Sequence, residues 1–453
     1  MLASLDVQLA DFTGAIITPD SESYPQAART PMASAAPSLV LRPTDTTDVA
    51  RAIRFAAASG LPVAVRGGGH SVAGFSTVDG GIVIDLRALD SVDVLPDRRV
   101  RVGGGALWRH VVDALGPHGL VISSGDTADV GVGGLTLSGG IGWMVRRDGL
   151  TLDHLRSVEM VTASGDVLVA DAAHHTELFW ALRGGGGAYG IVTAFEFEAH
   201  PTRTVAFAAL TFPADQVESI VTGWVAHMRQ APNAIGSTVV LANPLAGGQD
   251  APVAVTLVRS DGGDLDESVA ALASIAAPMS ADVRRRAYAE ILHPGAELPL
   301  GLRAVVRNGF VAPDAADDAA LAVARVAREA QPSSIVLHSL GGAFADVPVD
   351  ATAFAHREAE LMITTFAVGP DAAADGIRVR MDEVWNELEP YVTGAYANSL
   401  DGSAADAVAS IYRASTRVRL ARVKAEYDPA DLFSRNFGAR PAPAPAPADA
   451  RQG

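Results

Sequence analysis

Residues 38–70 read SLVLRPTDTTDVARAIRFAAASGLPVAVRGGGH, a strand, a helix, a second strand and a glycine turn in succession. SLVLRP (38–43) is a short apolar run ended by proline. The next segment offers Thr and Asp as caps, an apolar stripe at Val49, Ile53, Phe55 and Ala56, and Gly60 as a stop. LPVAVRGGGH is a strand that runs into three glycines. GGIVIDLRAL adds another strand, and RRVRVGGGALWRHVVDALGPHG gives strand, glycine turn and helix. Strands and helices alternating with glycine at the junctions predict an α/β or α+β domain.

Downstream, residues 123–149 (SSGDTADVGVGGLTLSGGIGWMVRRDG) carry too much glycine for a firm helix or a plain strand. Interleaved Val, Leu, Ile and Trp argue against a linker, so these glycines are expected to let backbone approach something closely. LRSVEMVTASGDVLVAD reads as a hairpin turning at Ser164-Gly165. TELFWALRGGGGAYGIVTAFEFEAH reads as helix, glycine run and alternating strand. From about Thr202 the texture changes to alanine-rich helices between strands such as VAFAALTFP, APVAVTLVRS and SSIVLHSL, which predicts a second domain. The tail PAPAPAPADARQG has no apolar pattern and is expected to be disordered.

Composition removes several function classes. With 49% hydrophobic and 19% charged residues the chain is globular rather than disordered. A net charge of −17 makes it a poor nucleic-acid binder. Cysteine is absent, which excludes disulfides, Cys-ligated metals and a thiol nucleophile. Lysine occurs once, at Lys424, so a P-loop or Schiff-base lysine has almost nowhere to sit. No apolar run is long enough to span a bilayer, and the N-terminus lacks the basic-then-apolar pattern of a signal peptide. A soluble cytoplasmic protein is expected.

The 44 glycines carry the functional signal. Gly185, Gly187 and Gly190 match G-x-G-x-x-G, but a helix precedes them and a strand follows, the reverse of a dinucleotide-binding Rossmann turn. Glycine turns at 67–69, 131–134 and 139–140 remain. Their backbone N–H groups can cradle a pyrophosphate, assisted by a few arginines.

Here the residues carry a resemblance. PVAVRGGGHSVAG (62–74) with GGIVIDL (80–86) resembles the flavin-attachment segment of berberine bridge enzyme-like oxidases. These belong to the vanillyl-alcohol oxidase/p-cresol methylhydroxylase flavoprotein superfamily. RVGGGALWRHVVDAL (101–115), SGDTADVGVGGLTLSGGIGWMVRRDGL (124–150), ELFWALRGGGGAYGIVT (177–193), GGAFADVPVDATAFAHRE (341–358) and RLARVKAEYDPADLF (419–433) resemble further family segments in the right order. Bacterial hydroxynicotine oxidases and antibiotic-tailoring oxidases are nearest in character.

The resemblance implies an α+β, two-domain FAD-binding fold of the PCMH type. A lead-in would occupy 1–35 and the FAD-binding domain, made of two α+β subdomains, 36–204. A substrate domain with an antiparallel sheet covered by helices would occupy 205–394. A C-terminal segment at 395–440 would return to the FAD domain, and 441–453 would be the tail. It also implies one covalent link, from His70 to the 8α-methyl of FAD, for which a neutral imidazole must act as nucleophile. Thr127 stands where many members carry a second, cysteinyl link, so a double link is excluded. Val130 matches the position where a small residue admits O₂. The FAD-contacting set transferred by position is Arg66, Gly67, Gly68, Gly69, His70, Ser71, Gly74, Ser124, Gly125, Asp126, Thr127, Val130, Gly131, Gly134, Gly139, Gly140, Gly190, Ile191, Val192, Tyr396 and Asn398.

His338 falls where the family places an acid or amide and is the candidate base. Tyr396, in a Y-x-N segment with Asn398, is the second catalytic candidate. His356-Arg357 is expected to be structural or domain-bridging, Arg146 and Arg147 are left unassigned, with solvated surface charge as one reading, and no metal is expected at His174-His175. The activity implied is oxidation of an alcohol or amine carbon of a small molecule, with O₂ reduced to H₂O₂. Two alternatives are a dehydrogenase or oxygenase-type tailoring enzyme on the same scaffold, and a non-catalytic flavin-binding protein. The implied partners are a small-molecule substrate and O₂, without nucleic acid or membrane; substrate identity and oligomeric state are not readable.

Overall fold

Asp45 opens the first long helix, Thr46–Ser59: its side chain accepts a hydrogen bond from Asp48 N, and Gly60 closes the helix at φ 66°. The computed structural model describes residues 9, 11–202, 204–241, 251–295, 297–329, 334–402, 407–438 and 440–441. Most of the 441–453 tail and the beginning of the 1–35 lead-in lie outside them.

The helix buries Val49, Ala50, Ala52, Ile53 and Ala56 against a four-stranded sheet. In spatial order that sheet holds Ala15–Ile17, Leu39–Arg42, Ile82–Asp85 and Val63–Arg66. The first pair is antiparallel and the other two pairs are parallel. The helix's other side meets Val161 and Ile191 of a second sheet. Each Val or Ile side chain so removed from water contributes about 1.5–3 kcal/mol.

The second sheet is antiparallel, in the order Val92–Val94, Arg99–Gly103, Gly190–Glu198, Leu155–Thr162, Val167–Asp171. Its core is completed by the helices Trp108–Leu115, Val132–Ser138 and Thr176–Ala181. The Val132–Ser138 helix was not legible in the glycine-rich run. Two glycines in a seven-residue helix are costly, yet a Cβ at Gly133 would come within 3.1 Å of Gly104 O. Close packing therefore overrides propensity.

A third sheet of eight antiparallel strands follows: Ser280–Ala287, Thr204–Phe212, Val253–Arg259, Ile235–Leu241, Ser334–Ser339, Leu361–Pro370, Leu302–Val311 and Val392–Gly394. Helices Val217–Gln230, Asp266–Ile275, Ala316–Glu329 and Ala374–Leu388 cover one face. Val239, Val255, Leu337 and Ile363 of the sheet pack there against Trp224, Val323 and Trp385. With a side-chain period of two, the alternate residues Thr238, Val240, Val336, His338 and Thr364 take the opposite face. Thr238, His338 and Met362 stand in register across three neighbouring strands.

The chain then comes back to its first half. Helix Ala414–Tyr427 runs along Thr176–Ala181 and ties to it through Arg419 and Glu177 at 2.6 Å. Lys424, fully buried, donates to Ala188 O, Phe433 O and Asp428 Oδ2 at 2.7, 3.1 and 2.6 Å. Arg357 clasps Asp153 through two bonds of 2.8 and 2.7 Å. Arg146, which the sequence left unassigned, is buried and donates to Leu340 O and Ala231 O at 2.6 and 3.1 Å.

Candidate active site

Three glycine turns and the returning C-terminal segment enclose a cavity of about 440 Å³. The strand Val63–Arg66 delivers Gly67, Gly68, Gly69, His70 and Ser71 to its wall. The loop after Val121 delivers Gly125, Asp126, Thr127, Val130 and Gly131, and the next helix adds Gly134. The start of the strand Gly190–Glu198 supplies Gly190, Ile191 and Val192, and Tyr396 and Asn398 close the far side.

Two glycine turns meet back to back: a Cβ on Gly68 would lie 2.4 Å from Gly131 N, and one on Gly131 2.3 Å from Gly68 N. Only glycine permits that approach. Elsewhere the wall keeps space for a ligand: nothing lies within 4 Å of where a Gly134 Cβ would be, and Gly186 and Gly187 are almost as open. A long, glycine-walled, mainly apolar cavity suits a dinucleotide with a flat ring at one end.

Five members of the transferred set lie off the cavity wall. Arg66 is buried and turned inward, donating to Ala27 O and Ser76 O at 2.6 and 3.0 Å, with Asp85 at 3.8 Å. Burial lowers its pKa to about 10, against the pull of Asp85. Ser124 hydrogen-bonds Tyr288 (3.1 Å) in the layer behind. Gly140 acts through its N–H, which donates to Tyr396, while Gly139 packs against that ring and Gly74 accepts from Arg435. Conversely, Arg435, Asn436 and Phe437 line the cavity and were not anticipated. Arg435 is the one Arg or Lys on the wall, held by its bond to Gly74 O at 3.0 Å, with its Nε buried and unpartnered among the described residues.

His70 is half-buried at the end of its strand. Desolvation pushes its pKa below the ordinary histidine value, more than Asp129 and Glu297 pull it up. The neutral imidazole is therefore the form present at pH 7. Residues 293–295 clasp this edge: His293 N donates to Asp126 O (2.7 Å), Ala128 N to His293 O (2.8 Å) and Gly295 N to Asp129 Oδ2 (2.8 Å). Asp129 also pairs with Arg109.

The Tyr396 hydroxyl accepts from Gly140 N and Asn398 Nδ2, both at 2.9 Å. With both lone pairs engaged, its own O–H is free to donate. Burial raises its pKa despite those bonds, so it stays protonated at neutral pH. Asn308 fixes the segment, accepting from Tyr396 N (2.6 Å) and donating to Tyr396 O and Ser399 O (2.9 and 2.8 Å).

His338 lies beside the cavity, in a small pocket shared with Asp126, Trp143, Ser237 and Thr238. His174 and His175 part company, the first to Asp171 (3.1 Å) and the second to Tyr427 (3.0 Å).

With this geometry in place, comparison with known proteins is direct. Residues 37–171 match the FAD binding domain model, and residues 395–438 match the berberine and berberine-like model. The chain is 29% identical to (R)-6-hydroxynicotine oxidase of Paenarthrobacter nicotinovorans over 424 residues, covering 89% of this chain and 91% of that one. An uncharacterized FAD-linked oxidoreductase of Bacillus subtilis is 28% identical, with 93% and 95% covered. Among solved structures, 6-hydroxy-D-nicotine oxidase of Arthrobacter nicotinovorans superposes with a TM-score of 0.82 at 27% identity, covering 95% of this chain and 98% of that one. Glucooligosaccharide oxidase of Acremonium strictum, described with a 6-S-cysteinyl, 8α-N1-histidyl FAD, gives 0.85 at 22% identity with 97% and 99% covered, a likeness of fold.

Fold, cavity and matches together define an FAD-linked oxidoreductase. It carries an FAD binding domain and a berberine and berberine-like domain, and it has the fold of the vanillyl-alcohol oxidase/p-cresol methylhydroxylase superfamily. No helix among the described residues is long and apolar enough to cross a membrane.

Proposed function

We propose that the protein is an oxidase that takes a hydride from an alcohol or amine carbon of a small molecule, with FAD linked once through His70. The observation that carries this is the convergence of His70, Val130, Tyr396 and Asn398 on one glycine-walled cavity whose edge adjoins His338 through Asp126. Bound FAD would supply the two-electron acceptor at its N5 and deliver the electrons to O₂ as H₂O₂.

The protein's own groups would do the rest. Gly67–Gly69 and Gly131 bring backbone close to the cofactor, and Arg435 supplies positive charge for its diphosphate. A substrate O–H or N–H must lose its proton as the neighbouring C–H is oxidised. His338 accepts that proton, because a neutral imidazole is a competent base near pH 7. Tyr396, a fixed donor, orients a polar atom on the cofactor or substrate. Val130 keeps an apolar opening for O₂; a Val130→Leu variant that retains its flavin should react with O₂ at least tenfold more slowly. The sheet face around His338 presents Thr238, Val240, Val336, Met362 and Thr364, which suits an uncharged substrate.

The test is acid precipitation of the purified protein beside His70→Ala. Yellow flavin should pellet with the wild type and wash out of the variant. Oxygen uptake and peroxide yield are then measured over alcohols and amines. A protein that never binds flavin, or whose flavin no such compound reduces, overturns the proposal.

A further inference from the structure

Asp126 and His338 are 212 positions apart in sequence, yet Asp126 Oδ2 stands 3.9 Å from His338 Nε2. Asp126 belongs to the FAD-binding half and lines the main cavity, whereas His338 comes from the eight-stranded sheet. The two side chains share a second, small pocket.

We infer that Asp126 is the positioning residue for His338, a carboxylate that orients the imidazole and stabilises its protonated form. This rests on the proposed role of His338 as base. Three observations support it. The imidazole has a carboxylate neighbour, Asp126, facing its Nε2. Its other nitrogen, Nδ1, is buried and without a partner among the described residues. Finally, Asp126 is itself held in place: Thr127 Oγ1 donates to its Oδ1 at 3.0 Å, and His293 N to its backbone carbonyl at 2.7 Å.

The surroundings favour this charge arrangement. Burial alone would raise the Asp126 pKa, but His338, Thr127 and His293 together hold it below the usual carboxylate range. Two further titratable groups, Tyr288 and Tyr396, interact with Asp126. Both are phenols that burial keeps protonated, Tyr288 with a pKa of about 12. In this pair the base and its counter-charge come from different halves of the chain, so the proton acceptor is complete only when the sheet is seated over the flavin loop. Proton uptake balances without another reactant: the substrate O–H or N–H proton passes to neutral His338, and the imidazolium formed faces the Asp126 carboxylate.

The His338 imidazole can be titrated by NMR in the flavin-loaded protein with labelled histidine, its resonance assigned by its loss in His338→Gln. No substrate is required. Replacing the carboxylate in Asp126→Asn should lower the His338 pKa by about 1 unit or more, while Asp126→Glu keeps it near wild type. An unchanged pKa in Asp126→Asn overturns the inference and leaves the oxidase proposal standing.

If Asp126→Asn does not fold, thermal unfolding of wild type and His338→Gln decides. The wild-type advantage grows from pH 8.5 to 5.5 if a carboxylate faces the imidazolium. It shrinks if a half-buried imidazole titrates alone, and that result also overturns the pairing.

Discussion

His154 Nδ1 and His200 Nε2 meet at 2.8 Å, so a single proton lies between two imidazoles. Burial and the neighbouring His200 lower the His154 pKa to about 4, and His200 is lowered as well. Both are neutral in the folded protein at pH 7. An unfolded chain takes up protons near pH 6.5, well before the folded one does. Stability is therefore full above pH 6.5 and drains as pH falls towards 4, by on the order of 3 kcal/mol for His154. Urea unfolding at pH 7.5 and 5 should show the loss, and His154→Phe should flatten it. A variant with the same pH slope as wild type would exclude this pair as the cause.

Covalent attachment should follow the neutral form of His70. Because burial depresses its pKa, flavinylation of the apo-protein by added FAD should be level from pH 8 to 6.5 and slow only in more acid solution. Incorporation followed by gel fluorescence tests this. A rate that still climbs steeply between pH 7 and 8 contradicts it.

Arg435 is expected to contribute to cofactor affinity rather than to attachment. In a His70→Ala background, Arg435→Met should weaken FAD binding about tenfold or more, the range of a hydrogen bond to a charged group. Equilibrium dialysis reads the change. Equal affinity with and without Arg435→Met would leave the arginine a purely structural tie to Gly74.

Lys424 and Asp428 are both fully buried, and Asp428 further receives Leu432 N and Phe433 N at 2.9 and 2.8 Å. Lys424→Met removes one charge and strands the other, a change that costs about 3–5 kcal/mol. The C-terminal segment should loosen first, visible as earlier proteolysis after Arg413. A variant as stable as wild type would mean the pair is no better than an apolar contact.

Much of the architecture was written locally. Asp45 and Gly60 bound the first helix, alternation marks Arg99–Gly103 and Gly190–Glu198, and Ser164-Gly165 marks a hairpin turn. These signals act over a few residues, which is why they can be read. The helix at Val132–Ser138 could not be, because Gly104 and Phe195, brought there by folding, decide what fits at Gly133.

The cavity was partly legible: the turns at 67–71, 125–131 and 190–192 and the Tyr396–Asn398 pair reach one wall. Arg435 left no trace in the sequence, since nothing in SRNFGAR distinguishes a cavity arginine from a surface one. Arg66, four residues before His70, turns inward instead to Ala27 O and Ser76 O, partners that only folding brings to it. The meeting of Asp126 with His338 is likewise a product of topology.

Lys424 has a practical corollary. The sequence holds one lysine, Lys424, as a side-chain target for an amine-reactive reagent. The fold withholds it, locked behind Ala188, Asp428 and Phe433. Active-ester dyes, biotin or an activated resin should therefore leave Lys424 unlabelled while the protein is native. The appearance of label at Lys424 would report the unfolding of the C-terminal segment.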